Sequence, residues 1–311
     1  MDFGGVRDRQ GSGPPHVSAC ETSVHANVTR SGDVSDRFIG CPSMSVLDLH
    51  NVRVSGSGER TIMFAHGFGC DQNMWRYVAP AFEDRFQVVT FDYIGMGGTD
   101  PNAFDPDKYA RLDGFADDVV AIAEALDLRD AVLVGHSVSS MIGAIAVRRA
   151  PGRFAKLVMV APSPRYIDET APDGTTIYRG GFGEAQIEEL LEFLDTNHMG
   201  WSEAMAPTIM GNADRPELGQ ELTNSFCRTD PEIAKRFARA TFLSDNRDDL
   251  PEVNVPTLVL QCRDDVIAPD EVGVYTAEHL PDATLVRLDA TGHCPNLSAP
   301  EETTRAIRAF V

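Results

Sequence analysis

Between residues 61 and 160 the chain alternates short unbroken apolar runs with longer stretches in which apolar residues recur every three or four positions. The runs are Thr61-Ile62-Met63-Phe64-Ala65, Val88-Val89-Thr90-Phe91, Ala131-Val132-Leu133-Val134 and Leu157-Val158-Met159-Val160. Such runs predict parallel strands buried on both faces. Between them, Phe115, Val119, Ile122, Ala123 and Leu126 keep the spacing of an amphipathic helix, and Met141, Ile142, Ala144, Ile145 and Val147 that of a mostly buried one. Strand and helix in alternation predict the α/β class, with a mostly parallel, doubly wound sheet. Upstream, Val46-Leu47-Asp48-Leu49 and Val52-Arg53-Val54, before Ser55-Gly56-Ser57-Gly58, predict two early antiparallel strands and a turn.

The rhythm breaks after Pro164. Residues 165–250 predict helices and no strong strand: 184–197, with Ile187, Leu190, Leu191 and Leu194 on one face, then 201–210, 216–227 and 231–243. The sheet pattern resumes at Thr257-Leu258-Val259-Leu260 and Thr284-Leu285-Val286-Arg287-Leu288, and 301–311 closes the chain as a helix. A helical insertion of this kind predicts a lid over the C-terminal edge of the sheet, where such sheets bind ligands. The expected organisation is a core of residues 44–164 and 251–311, a helical lid of 165–250, and a tail of 1–43. The tail is rich in Gly, Ser, Asp and Arg, has no periodicity and no signal-peptide apolar stretch, and reads as disordered. Translation from Met44 is a second reading of the same segment.

Composition narrows the classes. The 311 residues carry a formal net charge of −20, which disfavours nucleic acid and anionic membrane surfaces as partners. No apolar run reaches the roughly 18 residues of a membrane span. Six cysteines (Cys20, Cys41, Cys70, Cys227, Cys262, Cys294) lack zinc-knuckle or CxxC spacing and read as reduced thiols of a cytoplasmic protein. There is no HExxH set and no GxxxxGK[ST] loop, and Gly95-Met96-Gly97-Gly98 does not match GxGxxG. No metal or other cofactor is expected.

The chemistry concentrates in four loops. Gly135-His136-Ser137-Val138-Ser139 lies between a predicted strand and a predicted helix, the context of a nucleophile elbow. Ser139 stands where GxSxG has its second glycine, and is small enough for the tight turn. After the strand at 257–260 come Asp264 and Asp265, either of which can orient a histidine; Asp265 is favoured and Asp264 reads as a loop acid. After the next strand comes Gly292-His293, a loop histidine suited to act as general base. The order Ser, Asp, His is the one a nucleophile elbow demands. Oxyanion donors are expected from the amides of Val138 and of Phe68, in His66-Gly67-Phe68-Gly69-Cys70. His66 reads as a brace for that loop and His136 as a shaper of the elbow; His16, His25, His50, His198 and His279 receive no role.

In combination these motifs identify a family. From about Val46 to its end the chain resembles the RsbQ-like α/β-hydrolases, regulators of a bacterial stress sigma factor, whose plant relatives are the karrikin and strigolactone receptors. The resemblance is carried by His66-Gly67-Phe68-Gly69-Cys70-Asp71-Gln72, Phe91-Asp92-Tyr93, Gly135-His136-Ser137-Val138-Ser139, Ser163-Pro164-Arg165-Tyr166, Gly180-Gly181-Phe182, Phe226-Cys227-Arg228-Thr229-Asp230-Pro231, Ser244-Asp245-Asn246-Arg247 and Gly292-His293-Cys294-Pro295. It implies an α/β-hydrolase fold, a Ser137–Asp265–His293 triad, and a V-shaped four-helix lid over an apolar cavity lined by Phe68, Tyr166, Phe182, Leu190, Met205, Leu222, Phe242 and Val266. The plain alternative for each lining residue is lid-to-core packing. The chain departs from the family in a longer 167–179 stretch, in Met205 where plant members tend to have an aromatic residue, and in Asn296 where a histidine is common. The resemblance implies a small hydrophobic ester or lactone as ligand and a sensor-domain phosphatase as partner. A metabolic esterase without a partner, and a receptor with negligible turnover, are the rival expectations.

Overall fold

The computed structural model describes residues 44–311; the tail expected at 1–43, with Cys20 and Cys41, lies outside the described residues. One seven-stranded sheet, ordered β1-β3-β2-β4-β5-β8-β9, organises them. Its strands are β1 (Arg53–Ser55), β2 (Arg60–Ala65), β3 (Phe86–Thr90), β4 (Ala131–His136), β5 (Phe154–Val160), β8 (Thr257–Asp264) and β9 (Ala283–Thr291). A separate two-stranded hairpin holds β6 (Glu169–Thr170) and β7 (Thr176–Tyr178). Within the large sheet β1 is antiparallel to β3, and the other pairings are parallel.

The unbroken apolar runs follow from burial on both faces. Along β2, Ile62 and Phe64 enter one hydrophobic cluster while Met63 and Ala65 enter the other. Along β4, Val132 and Val134 face the first cluster and Leu133 the second. Side chains of successive strand residues point to opposite faces, so a strand covered on both sides has no polar position to spare. Helices α2 (Leu112–Ala125) and α3 (Val138–Arg149) supply the second cluster, and α10 (Pro300–Phe310) contributes Ile307 to the first.

Four helices stand between β5 and β8 in the chain: α4 (Glu184–Thr196), α5 (His198–Met210), α6 (Pro216–Arg228) and α7 (Pro231–Phe242). Asn197 caps α5 by accepting the Gly200 N–H at 3.0 Å, and Asp230 caps α7 by accepting from Glu232 at 2.9 Å. α7 joins the two clusters, with Phe237 in one and Phe242 in the other. Among the described residues no helix is long and apolar enough to cross a membrane.

Three local expectations change. Val46–Leu49 is a helical turn, α1, instead of a strand: the Ser45 hydroxyl accepts the Asp48 N–H at 3.1 Å and donates to its carboxylate at 2.6 Å. That local cap outcompetes a four-residue apolar alternation. Residues 167–179 contain the short β6–β7 hairpin in a stretch where no strong strand was expected; Tyr178 packs edge-on against Tyr275 with ring centroids 4.8 Å apart. Tyr275 belongs to α8 (Asp270–His279), an element whose apolar positions are too sparse to announce it. A last short helix, α9 (Pro295–Ser298), follows the loop that bears His293.

Candidate active site

The loops singled out in the sequence leave the C-terminal ends of β2, β4, β8 and β9, so parallel pairing carries Phe68, Ser137, Asp265 and His293 to one edge of the sheet. Ser137 caps α3 in a strained conformation, φ 56° and ψ −123°, which holds its hydroxyl above the sheet. The turn requires Gly135, because a Cβ there would lie 2.2 Å from the Ser139 carbonyl oxygen. Val138, the first residue of α3, offers an N–H that has no intrahelical acceptor.

A continuous hydrogen-bond chain runs from this serine. His293 Nε2 lies 2.7 Å from Ser137 Oγ, and His293 Nδ1 lies 2.7 Å from Asp265 Oδ2. The other Asp265 oxygen accepts the N–H groups of Ile267 at 2.8 Å and Ala268 at 3.0 Å. A carboxylate fixed in this way accepts from Nδ1–H, which leaves the Nε2 lone pair for the serine proton. All three groups are buried. Asp264, the alternative, is turned to solvent and pairs with Arg263 at 3.6 Å.

The loop that bears His293 is fastened from two sides. The His293 N–H donates to the Ile209 carbonyl on α5 at 2.9 Å, and His136 Nε2–H donates to the His293 carbonyl at 2.8 Å. Burial, then the neighbouring His293, pushes the His136 pKa down to about 3, so its ring is neutral. Gly292 permits the loop: its φ is +82°, and a Cβ would come within 1.8 Å of the Met210 carbonyl oxygen.

The Phe68 loop is braced by His66, as a neutral ring whose pKa burial holds below its ordinary value. Its Nδ1–H donates to the Gly67 carbonyl at 2.9 Å, and its Nε2 accepts the Tyr93 N–H at 3.1 Å. Ser139 closes the brace: its hydroxyl donates to the His66 carbonyl at 2.5 Å and accepts from the Tyr93 phenol at 2.8 Å. The serine that replaces the second elbow glycine therefore ties α3 to the Phe68 loop. A second organiser escaped the sequence reading. Asp92, buried, accepts the N–H groups of Gln72 at 2.8 Å and Gly98 at 2.9 Å, joining the loops after β2 and β3. Burial alone would raise its pKa, but His66 and these hydrogen bonds prevail and lower it. Only its place in Phe91-Asp92-Tyr93 hinted at this.

Above Ser137 lies a cavity of about 30 Å³, room for about two waters. Phe68, Tyr166, Leu222 and Phe242 line it, as do Cys70, Ile209, Phe226, Thr241, Ile267 and Cys294. Phe182, Leu190, Met205 and Val266 do not. Val266 is 52% exposed, whereas Ile267 is buried, because the turn that hydrogen-bonds Ile267 and Ala268 to Asp265 sends the intervening side chain outward. On α5 the inward position nearest the His293 loop is Ile209, one turn beyond Met205. Leu190 lies on α4, which packs against α5 and α7, and Phe182 pairs through its backbone with Tyr166. Burial raises the Cys70 thiol to about 12 and the Cys294 thiol well above its ordinary 9.0; both stay protonated at neutral pH. A larger groove of about 760 Å³ between α5 and α6 contains none of these reactive groups.

A sheet of this topology with an elbow serine defines an α/β-hydrolase, and residues 62–306 match the alpha/beta hydrolase family. The chain belongs to that family. It is 38% identical over 257 residues to the karrikin insensitive 2 receptor CA of Petunia hybrida, covering 82% of this chain and 93% of the receptor. It is 37% identical over 265 residues to strigolactone esterase D14 of Arabidopsis thaliana, covering 85% and 97% respectively. A hydrolase from Oleispira antarctica superposes with a TM-score of 0.81 at 42% identity, over 85% of this chain and 95% of that one.

Proposed function

We propose that this chain is a serine hydrolase that cleaves a small, mainly apolar ester or lactone in a signalling role. The observation that carries the reading is the chain of two 2.7 Å hydrogen bonds from Ser137 through His293 to Asp265. In the proposed reaction Ser137 Oγ attacks the ester carbonyl as His293 Nε2 takes its proton. Asp265 holds the imidazolium that results, and the amides of Phe68 and Val138 receive the oxyanion. His293 then protonates the leaving alkoxide, and a water deprotonated by the same ring releases the acyl group from Ser137.

Helices 184–242 act in this reading as the lid of the site, over a core of 44–164 and 251–311. A cavity of about 30 Å³ is far below the roughly 300 Å³ of a typical ligand site, so α5–α7 must part to admit substrate. That requirement favours slow turnover and couples occupancy to the outer surface of the lid. The names of the plant relatives, an esterase and a receptor, support catalysis joined to signalling. The RsbQ-like motifs favour a cytoplasmic protein whose partner is a sensor-domain phosphatase.

The test is fluorophosphonate labelling at neutral pH. Native protein is expected to label and Ser137→Ala is not; an unlabelled native protein rejects the hydrolase. Slow p-nitrophenyl acetate turnover, with ligand-dependent capture of the phosphatase, supports the signalling role. Fast multiple turnover without capture would instead indicate a metabolic esterase.

A further inference from the structure

One cavity-lining group has no place in the reaction just described. Thr241, on α7, lines the cavity beside Ser137 and is 1% exposed. Its hydroxyl has no hydrogen-bond partner among the described residues. That is unusual for a helical threonine, which can donate to the carbonyl four residues back. Thr196, Thr208, Thr223, Thr276 and Thr303 all do so in this chain, at 2.8 to 3.2 Å. Thr241 forgoes that bond although burying an unpaired hydroxyl is destabilising. Of the unpartnered buried side-chain polar atoms in the described residues, Thr241 Oγ1 alone belongs to a residue lining this cavity.

We propose that Thr241 is a specificity-determining residue, whose hydroxyl hydrogen-bonds a second oxygen of the substrate, remote from the carbonyl that Ser137 attacks. The inference rests on the hydrolase reading and sharpens its substrate class. The substrate is a small, mostly apolar ester or lactone that bears one further ether, carbonyl or hydroxyl oxygen. A hydroxyl can donate to the first two and exchange either role with the third. No lysine or arginine lines the cavity, so a carboxylate is not the group recognised. A site built to hydrogen-bond an oxygen discriminates strongly against an analogue that lacks it.

The experiment compares kcat/KM for p-nitrophenyl hexanoate with three analogues in which one chain methylene is replaced by oxygen. In the native protein at least one oxygen analogue is preferred over hexanoate. Thr241→Val, which keeps the shape and removes the hydroxyl, is expected to lower that preference, read as the kcat/KM ratio of the oxygen analogue to hexanoate, by about tenfold. Thr241→Ser is expected to retain it within about threefold. Thr241→Val should melt no lower than the native protein, which separates lost recognition from misfolding. A preference unchanged in Thr241→Val, absent from the native protein, or lost together with hexanoate turnover overturns the assignment. If the native protein cleaves none of these esters, the hydrolase reading fails on its own. The anchor is then judged by calorimetric Kd ratios of the matching ethyl esters on Ser137→Ala, with and without Thr241→Val. The same tenfold change supports it there, and no binding or an unchanged ratio rejects it.

Discussion

Ser137 sits at φ 56° and ψ −123°, a region non-glycine residues occupy only where the surroundings over-determine it. The motif around it was readable because the turn admits few residue types. Adjacency in the chain left two candidate acids, of which Asp265 was favoured, and the structure brings Asp265 to His293. Asp264 and Asp265 are neighbours, yet β8 ends at Asp264, and the following turn points one carboxylate to water and the other to His293. Asp265→Asn is therefore expected to lower kcat for p-nitrophenyl acetate by about 1,000-fold or more, as loss of the orienting carboxylate does elsewhere. Asp264→Asn should stay within about twofold of the native protein. Equal effects of the two substitutions in steady-state assays would contradict the assignment. Thr241 was illegible for a related reason: its position on α7 follows from periodicity, but the direction of its hydroxyl depends on what α7 covers.

At the scale of elements, the His293 loop depends on the helix it meets. Gly292 lets His293 hang from the C-terminal turn of α5, where Asn212 Nδ2 also donates to the Met210 and Thr291 carbonyls at 2.9 Å each. Gly292→Ala would set a methyl 1.8 Å from the Met210 oxygen at a φ of +82°. Gly174 is the control, with a φ of +86° and no atom within 4 Å of where a Cβ would stand. Urea unfolding should show Gly174→Ala costing about 1 kcal/mol for the backbone conformation alone. Gly292→Ala should cost more, by about 2 kcal/mol or above, and should depress kcat as well. Matching costs would mean that the α5 contact does not constrain the loop. The strands and long helices behind this arrangement were legible from period and length. α1, α8 and the β6–β7 hairpin were not, because a cap, sparse apolar positions and tertiary pairing decide them.

For the molecule as a whole, burial of neutral histidines sets the response to acid. His136, held at about 3, and His66, also held below its ordinary 6.5, bind fewer protons folded than unfolded. Stability is then fully present above about pH 6.5 and falls as pH drops from there toward the folded values. The slope approaches about 1.4 kcal/mol per pH unit for each histidine. Asp92 and Asp118, lowered below their ordinary 3.8, extend the loss at lower pH, as their carboxylates protonate. Urea titrations at pH 7, 6 and 5 should show this decline, and His136→Gln should remove about one proton from its slope. An unaltered slope in that variant would place the effect elsewhere.

The sequence by itself determined the sheet, the long helices and the three loops that bear Ser137, the aspartate pair and His293. Each of these is written in local pattern: a period of burial, a turn that excludes bulky residues, an order along the chain. Tertiary structure alone decided that Ile209 and Ile267 line the cavity where Met205 and Val266 were expected, and that Thr241 is left unpaired there. Those outcomes depend on which atoms approach across elements far apart in the chain, and a one-residue turn at a strand end is enough to reverse them.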